Sequence, residues 1–180
     1  MPQTDPALPP ASLTGAQARR SNGTPMNSRP FLERIARVVR RHRLEAVLVG
    51  NAAAALQGAP VTTLDFDFMF RETPGNIRKL KRVAKDLGAV ILRPFYPASS
   101  LFRVVNEDVG LQVDFMPIIH GIRSLESLRS RATTVKFGSV SLLVADLADV
   151  VRSKRSANRP RDRAVLEILE ATLREKAKNK

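Results

Sequence analysis

The sequence predicts an α+β domain, with a mixed, mainly antiparallel sheet that carries helices on one face and carboxylates on the other. Residues 47–49 form an apolar run typical of a buried strand, and residues 52–56 are good helix formers. Residues 64–70 and 111–116 both alternate, with large apolar side chains on one face and Asp65, Asp67 and Asp114 on the other. Since successive side chains of a strand point to opposite faces, each strand separates its aromatic residues from its carboxylates.

The length of 180 residues allows one domain with a tail. Residues 1–28 are rich in Pro, Ala, Ser, Thr and Gly without any period, so we predict a disordered tail there and a single domain over residues 29–180. The absence of Cys excludes disulfides and thiolate metal sites. We expect a cytoplasmic protein with no membrane partner, because the sequence lacks a membrane-length apolar run and the apolar core of a signal peptide.

The chain is strongly basic, with 30 Lys and Arg against 17 Asp and Glu and a formal net charge of +13. Such an excess favours a polyanionic partner, nucleic acid first. A soluble protein from a generally basic proteome would show the same excess, so charge alone does not define a site.

Helical spacing of apolar residues predicts a first helix from Pro30 to His42 and a second that begins at Thr73 and stops at Gly88. Both carry basic residues on the outer side, which indicates a solvated face or, for the second helix, contact with a phosphate backbone. Alternation and turn residues predict the remaining elements. These are a strand at 90–92, a loop at 94–100, a hairpin of 101–105 with 111–116, a helix at 124–131, a hairpin of 133–136 with 140–144, and helices at 145–156 and 160–174.

The last helix has an acidic residue on its apolar stripe. Asp162 precedes Val165 and Leu166 by three and four residues, so its carboxylate is expected to point inward. A buried carboxylate needs a cationic or hydrogen-bonding partner, and Lys154 and Arg159 are the nearest candidates. The alternative is an Asp favoured in the first turn by the helix dipole.

Three carboxylates form the candidate centre of the molecule. Asp65 and Asp67 share one face of their strand, and Asp114 occupies the equivalent face of another. If the two strands are neighbours, the three carboxylates converge and repel each other unless a cation lies between them. Asp oxygens together with substrate phosphates suit Mg²⁺, and two such ions about 3.5–4 Å apart support displacement at phosphorus. Paired acids of this kind are also common on solvated edge strands.

The turn at Gly50 and Asn51 joins the first predicted strand to a helix. Glycine allows close backbone approach, and free N–H groups at such a junction attract phosphates. Basic residues of the C-terminal region could neutralise the rest of a polyphosphate. Together these features predict nucleotidyl transfer, in which a nucleoside triphosphate gives its α-phosphate to an acceptor hydroxyl and pyrophosphate leaves.

The order of these motifs resembles the nucleotidyltransferase fold superfamily that includes DNA polymerase beta. Its minimal pattern has a hydrophobic residue before Gly-[Gly/Ser], then Asp-x-[Asp/Glu], then a separate strand with an acid between two hydrophobic residues. The matching segments here are Val49-Gly50-Asn51, Asp65-Phe66-Asp67 and Val113-Asp114-Phe115. The resemblance implies the nucleotidyltransferase fold, with the C-terminal helices closing the site.

More narrowly, residues 31–173 resemble bacterial nucleotidyltransferase-like proteins related to AbiEii-type toxins. Members often contain Gly-x-Pro-Arg-x-Thr before the Asp-x-Asp pair, and a C-terminal Val-Ala, Asp, Lys and Arg-x-Lys-Asp series. The matching residues are Ala53, Gly58, Pro60, Thr63, Val144, Ala145, Asp149, Lys154, Arg159, Arg161 and Asp162. The chain departs from the pattern at Asn51, where a small residue is usual, and at Val61, where Arg is usual.

The resemblance implies an enzyme that uses two Mg²⁺ ions, or Mn²⁺, held by Asp65, Asp67 and Asp114. It implies that a nucleoside triphosphate is seated at the Gly50 turn, and that Lys154 binds the phosphates or the acceptor. The residues expected to bind substrate are Gly50, Asn51, Thr63, Lys154 and Arg159, and those expected to take part in catalysis are Asp65, Asp67, Asp114, Lys154 and Asp162. The toxin group extends the 3′ end of tRNA and is neutralised by an antitoxin, so the implied partners are RNA, especially tRNA, and an antitoxin protein.

Two other functions fit the same sequence. The acceptor could be a small molecule such as an aminoglycoside, or a protein hydroxyl, although the basic charge disfavours cationic drugs. The chain could instead be a degenerate, non-catalytic member that binds nucleotide or RNA, because Asn51 narrows the phosphate turn and Val61 removes a triphosphate contact.

Overall fold

The computed structural model describes residues 29–63, 65–93 and 100–179. The predicted tail and the predicted loop after the third strand, apart from Ser100, lie outside the described residues. The elements are α1 Arg29–Arg41, β1 Ala46–Val49, α2 Gly50–Leu56, β2 Asp65–Phe70, α3 Pro74–Asp86, β3 Val90–Leu92, β4 Phe102–Asn106, β5 Leu111–Met116, α4 Leu125–Arg129, β6 Thr133–Phe137, β7 Val140–Val144, α5 Leu147–Ala157 and α6 Pro160–Lys178.

The seven described strands form one sheet in the order β3-β4-β5-β2-β1-β7-β6. The pairs β1–β2, β3–β4, β4–β5 and β6–β7 are antiparallel, whereas β2–β5 and β1–β7 are parallel. The prediction of an α+β fold with a mixed, mainly antiparallel sheet is therefore confirmed. Both predicted hairpins are present, and β2 and β5 are neighbours although 40 residues separate their ends.

The alternation of β2 and β5 separates the two faces of the sheet. Phe66, Phe68 and Phe70 are buried on one face together with Phe115 of β5. The rings of Phe68 and Phe115, which are paired in the register, stack with their centroids 5.1 Å apart. The large apolar area that these rings remove from water fixes which face of each strand points inward, and so fixes the carboxylates on the opposite face.

Helices α1 and α3 pack together over the aromatic face. Helix α1 contacts β6 and β7, and α3 contacts β3. The His42 ring lies 2.8 Å from the Asp86 carboxylate, and Arg34 donates a hydrogen bond of 3.1 Å to the Leu87 carbonyl. His42 thus joins the ends of two helices and has a structural role.

The C-terminal helices lie over the carboxylate face. Helix α5 packs against α2 and α6, and α4 contacts β1. Helix α5 begins at Leu147, two residues later than predicted, because the Asp146 side chain accepts a hydrogen bond from the Ala148 N–H and caps it. Helix α6 continues beyond the predicted end at residue 174 to Lys178. Within the described part of the chain, the helices are too short or too polar to cross a bilayer.

Candidate active site

A row of polar side chains crosses three neighbouring strands on the face opposite the aromatic rings. Arg103 of β4 is paired with Asp114 of β5, and Asp114 is paired with Asp67 of β2. Neighbouring strands lie about 4.7–4.9 Å apart, and paired residues direct their side chains to the same face. The register therefore places the Asp67 and Asp114 carboxylates side by side, and Asp65 lies two residues further along the same face of β2, opposite Gln112.

The turn between β1 and α2 passes directly against Asp67. Gly50 has a φ angle of +67°, a region that favours glycine, and a Cβ atom there would overlap the Asp67 Oδ2. Val49, immediately before this turn, is paired with Asp67 in the register. The predicted phosphate turn and the predicted carboxylate cluster are thus in contact.

Asn51 and Thr63 flank the carboxylates without lining the cavity described below. The Asn51 Oδ1 is buried and has no hydrogen-bond partner among the described residues. A buried amide oxygen without a partner is unfavourable, so a ligand that donates a hydrogen bond would be stabilising there. The Thr63 hydroxyl accepts from the Asp65 N–H at 3.1 Å and donates to the Asp65 carbonyl at 3.0 Å, so it orients the start of β2.

A cavity of about 300 Å³ lies between the carboxylate face and helices α5 and α6. It brings together most of the residues that the sequence predicted, although Asp65 does not line it and is exposed to solvent. The predicted residues in its lining are Gly50, Asp67, Asp114, Lys154, Arg159 and Asp162. One wall is apolar and comprises Leu101, Met116, Ile118 and Ile119.

Asp67 is an unneutralised carboxylate. Within the described part of the chain it makes no hydrogen bond or ion pair through its side chain. Burial raises its pKa from 3.8 to about 6, and the negative charges of Asp114 and Asp65 add to this, against the opposing effect of Lys154 and Arg161. Because the surroundings disfavour the negative charge, Asp67 either binds a proton or is stabilised by a cation beside it.

Asp114 is neutralised by Arg103. The Arg103 Nε lies 2.8 Å from Oδ1, and its Nη2 lies 2.8 Å from Oδ2. In the same described residues, no three Asp, Glu, His or Cys side chains form a group that could hold a metal ion. The all-oxygen donors of Asp65 and Asp67 suit a hard divalent cation, but Asp114 could join them only after Arg103 gives up an oxygen.

Asp162 is buried at the start of α6 and receives two cations. Lys154 Nζ lies 3.2 Å from its Oδ1, and Arg159 Nε lies 2.6 Å from its Oδ2. Burial by itself would raise the pKa of Asp162, but the hydrogen bonds from Arg159 and Lys154 outweigh it and hold the pKa below its ordinary value. The predicted partners of this inward carboxylate are confirmed. The ion pairs fix Lys154 and Arg159 at the cavity wall opposite Asp67.

Three polar residues of the described cavity lining were missed by the sequence analysis: Arg103, His120 and Ser153. Asp149 and Arg161 matched the C-terminal motif but were given no role in the site. Arg103 lies on a predicted strand, and assigning the hairpin register would have placed it opposite Asp114. Arg161 immediately precedes Asp162 and lowers the pKa of Asp67 through its charge. Asp149 is almost fully buried, and Arg131 binds both its oxygens at 2.9 Å, so it anchors the start of α5.

Comparison with solved structures decides the fold. A Thermotoga maritima protein provisionally classed as a nucleotidyltransferase superposes with a TM-score of 0.58 at 17% identity, covering 84% of this chain and 92% of that one. This chain has the nucleotidyltransferase fold. The lincosamide adenylyltransferase LnuA, solved with lincomycin bound, gives a TM-score of 0.57 at 13% identity, covering 81% of this chain and 97% of its own. The antibiotic-resistance factor ANT(2'')-Ia gives 0.53 at 12% identity, with 84% and 94% covered.

At such identities the likeness concerns the nucleotidyltransferase fold alone. Neither protein-family models nor curated protein sequences match the chain. The narrower resemblance to AbiEii-type toxins, and the roles of the cavity residues, therefore stay predictions.

Proposed function

We propose that the chain is a nucleotidyltransferase that moves a nucleoside monophosphate from a triphosphate to an acceptor hydroxyl. The observation that supports this most directly is the juxtaposition of Asp67 and Asp114 beneath the Gly50 turn, with Lys154 across the cavity. This combination supplies negative groups for a cation and for the acceptor proton, and positive groups for the phosphates. The nucleotidyltransferase fold supports the same activity.

In the proposed reaction the acceptor oxygen attacks the α-phosphorus. The bond from this phosphorus to the oxygen that bridges it to the β-phosphate breaks, and pyrophosphate leaves with the bonding electrons. The acceptor proton passes to a carboxylate. Asp114 is positioned to accept it once Arg103 releases one of the Asp114 oxygens. A bound Mg²⁺ or Mn²⁺, held first by Asp65 and Asp67, would neutralise charge that develops on the phosphate oxygens.

The chain's own residues bind and orient the triphosphate. Gly50 lets phosphate oxygens approach the backbone because it has no side chain to obstruct them. Lys154, Arg159 and Arg161 line the cavity on the α5 and α6 side, where they would neutralise the triphosphate. Asp162 holds two of these cations in place.

RNA is the acceptor class that the charges favour, with the 3′ end of tRNA as the first candidate. The cavity carries several cationic side chains, and the whole chain has a formal net charge of +13. A cationic small molecule would be repelled by the net charge of the chain, although the described residues of the cavity lining balance four Asp with four Lys and Arg side chains. The resemblance to AbiEii-type proteins extends this proposal to a toxin with a partner antitoxin. The test of this extension is whether expression of the chain arrests growth, and whether Asp67→Asn abolishes the arrest.

A neutral small molecule is the second candidate acceptor. Leu101, Met116 and Ile119 form an apolar cavity wall, and Ile118 lines it while 76% exposed. An apolar acceptor would cover these side chains, and a protein that shares the fold is a lincosamide adenylyltransferase.

The test is incorporation of label from each of the four α-labelled triphosphates into total RNA, with Mg²⁺ or Mn²⁺. We expect one triphosphate to be used, and Asp67→Asn to reduce incorporation to background because it removes the unneutralised carboxylate. The matched control is Asp108→Asn, an exposed acid outside the cavity, which should retain full activity. A lincosamide and an aminoglycoside are tested as acceptors in parallel.

Absence of incorporation into RNA and into both drugs would contradict the enzymatic proposal. Calorimetric titration of the triphosphates would then identify a non-catalytic binder, whose affinity would be independent of Mg²⁺ and unaffected by Asp67→Asn.

A further inference from the structure

Arg103 binds both carboxylate oxygens of Asp114. Two parallel hydrogen bonds of 2.8 Å join the guanidinium to the carboxylate, and the two residues are directly paired across β4 and β5. The Asp114 side chain is only 11% exposed, so little solvent replaces the guanidinium if it leaves. Bidentate pairs of this kind are among the strongest charge-assisted hydrogen bonds.

The two central carboxylates are therefore not equivalent. Asp67 has no side-chain hydrogen bond or ion pair in the described part of the chain, whereas Asp114 is fully engaged. The guanidinium occupies both Asp114 oxygens, which a cation would need as ligands. Among the described residues, no three acidic, His or Cys side chains form a group that could hold a metal ion. An ordinary structural ion pair would not need to line the cavity, but Arg103 does.

We propose that Arg103 is a positioning residue that competes with a divalent cation for Asp114, so that the resting chain binds a cation only at Asp65 and Asp67. This inference rests on the proposed function. The Arg103 side chain is 36% exposed and faces the cavity, so it can leave Asp114 without unfolding the sheet. Arg103 thereby prevents Asp114 from binding a cation until the guanidinium moves away.

The experiment measures Mn²⁺ affinity of the full chain by electron paramagnetic resonance, without nucleotide. We expect Arg103→Gln to bind Mn²⁺ at least about tenfold more tightly than the unchanged chain, because Asp114 becomes a ligand. The gain should disappear in the double variant Arg103→Gln/Asp114→Asn. Arg155→Gln is the matched control: it removes the same charge from an exposed pair with Glu170, outside the cavity, and should leave the affinity unchanged.

Thermal unfolding separates this role from a merely structural one. In chelator, Arg103→Gln should lower Tm because a buried carboxylate loses its partner. Adding Mn²⁺ should raise the Tm of Arg103→Gln more than that of the unchanged chain. If Arg103→Gln does not fold, Arg103→Lys replaces it, since Lys keeps the charge but cannot bind both oxygens in the same way; the expected gain in affinity is then about threefold.

Unchanged Mn²⁺ affinity in the Arg103 variant, or a gain that survives Asp114→Asn, would overturn the inference. These outcomes are independent of the proposed function, because nucleotide transfer is not measured. A chain that transfers nucleotide without any Arg103 effect on Mn²⁺ refutes only the inference. A chain that shows the Mn²⁺ effect without any transfer refutes only the proposed enzyme.

Discussion

Asp67 connects stability with function at the scale of a single residue. Its carboxylate is partly buried, lies beside Asp114, and touches the Gly50 turn without receiving a hydrogen bond from the described residues. Such a group is unfavourable for folding when it is ionised, and a ligand that neutralises it would remove this cost. Arg103 solves the same problem for Asp114 from within the chain.

The first prediction concerns Asp67→Asn and its dependence on pH. The folded-state pKa is about 6 and the ordinary value is 3.8, so the folded chain favours protonated Asp67. The destabilisation by Asp67 therefore grows as pH rises above 3.8 and is complete above about pH 6. The variant should raise the free energy of unfolding at pH 8 by up to about 3 kcal/mol. The gain should shrink as pH falls and vanish below the unfolded pKa. Urea unfolding at several pH values measures it, and an equal gain at pH 8 and at pH 3.5 would contradict it.

The second prediction concerns Gly50→Ala. The new methyl group would overlap the Asp67 carboxylate and force a φ angle of +67° on a residue with a side chain. We expect Mn²⁺ binding to be lost and the free energy of unfolding to fall by about 1–3 kcal/mol. Gly58→Ala is the control, since it also has positive φ but no atom within 4 Å of the added Cβ, and it should retain Mn²⁺ binding.

The reversal between α5 and α6 positions the cationic side of the site at the scale of elements. Asn158 ends α5 in the left-handed region with a φ angle of 49°, and Pro160 begins α6. This short connection brings Lys154 of the first helix to Asp162 of the second. The ion pairs therefore join two helices and fix the direction of the cations that face the carboxylates.

The third prediction is that Asp162→Ala destabilises the chain by about 3 kcal/mol, because it leaves the Lys154 ammonium, only 12% exposed, without its partner. Part of this loss should be recovered in Lys154→Met/Asp162→Ala, where no unpaired cation is left at position 154. Arg155→Ala breaks an exposed pair with Glu170 between the same helices and should change stability by less than about 1 kcal/mol. Chemical denaturation compares the variants, and equal losses for Asp162→Ala and Arg155→Ala would refute the helix-joining role.

At the scale of the whole molecule, the charges are divided between two faces of the sheet. One group of cations surrounds the cavity, and another lies on α3, which covers the aromatic face. Lys81, Arg82 and Lys85 of α3 are exposed and make no ion pair with other described residues. A long polyanion could reach both groups, whereas a short acceptor in the cavity would contact only the first.

The fourth prediction follows from this division. Replacing Lys81, Arg82 and Lys85 by Gln should weaken binding of full-length tRNA and reduce the salt slope by about 0.7–0.9 for each phosphate that these side chains neutralise. Transfer to a short oligonucleotide should be unchanged, because α3 does not line the cavity. Filter binding at several salt concentrations measures the slope. An unchanged slope would mean that this face of α3 is simply solvated.

The sequence by itself determined the local features of this protein. Strict alternation in residues 65–70 and 111–116 decided which side of each strand carries acids, because a strand has only two faces and the aromatic rings must be buried. The inward direction of Asp162 followed in the same way from its place on a helical stripe, and Lys154 and Arg159 were foreseeable partners because they are close in sequence.

Only the tertiary structure decided which strands are neighbours and what each carboxylate contacts. The parallel pairing of β2 with β5 brings Asp67 beside Asp114, and the pairing of β4 with β5 gives Asp114 to Arg103. Local alternation carries no information about strand order, and a carboxylate that is free in one register is neutralised in another. For that physical reason the acids could be named from the sequence, but the difference between the unpaired Asp67 and the paired Asp114 could not.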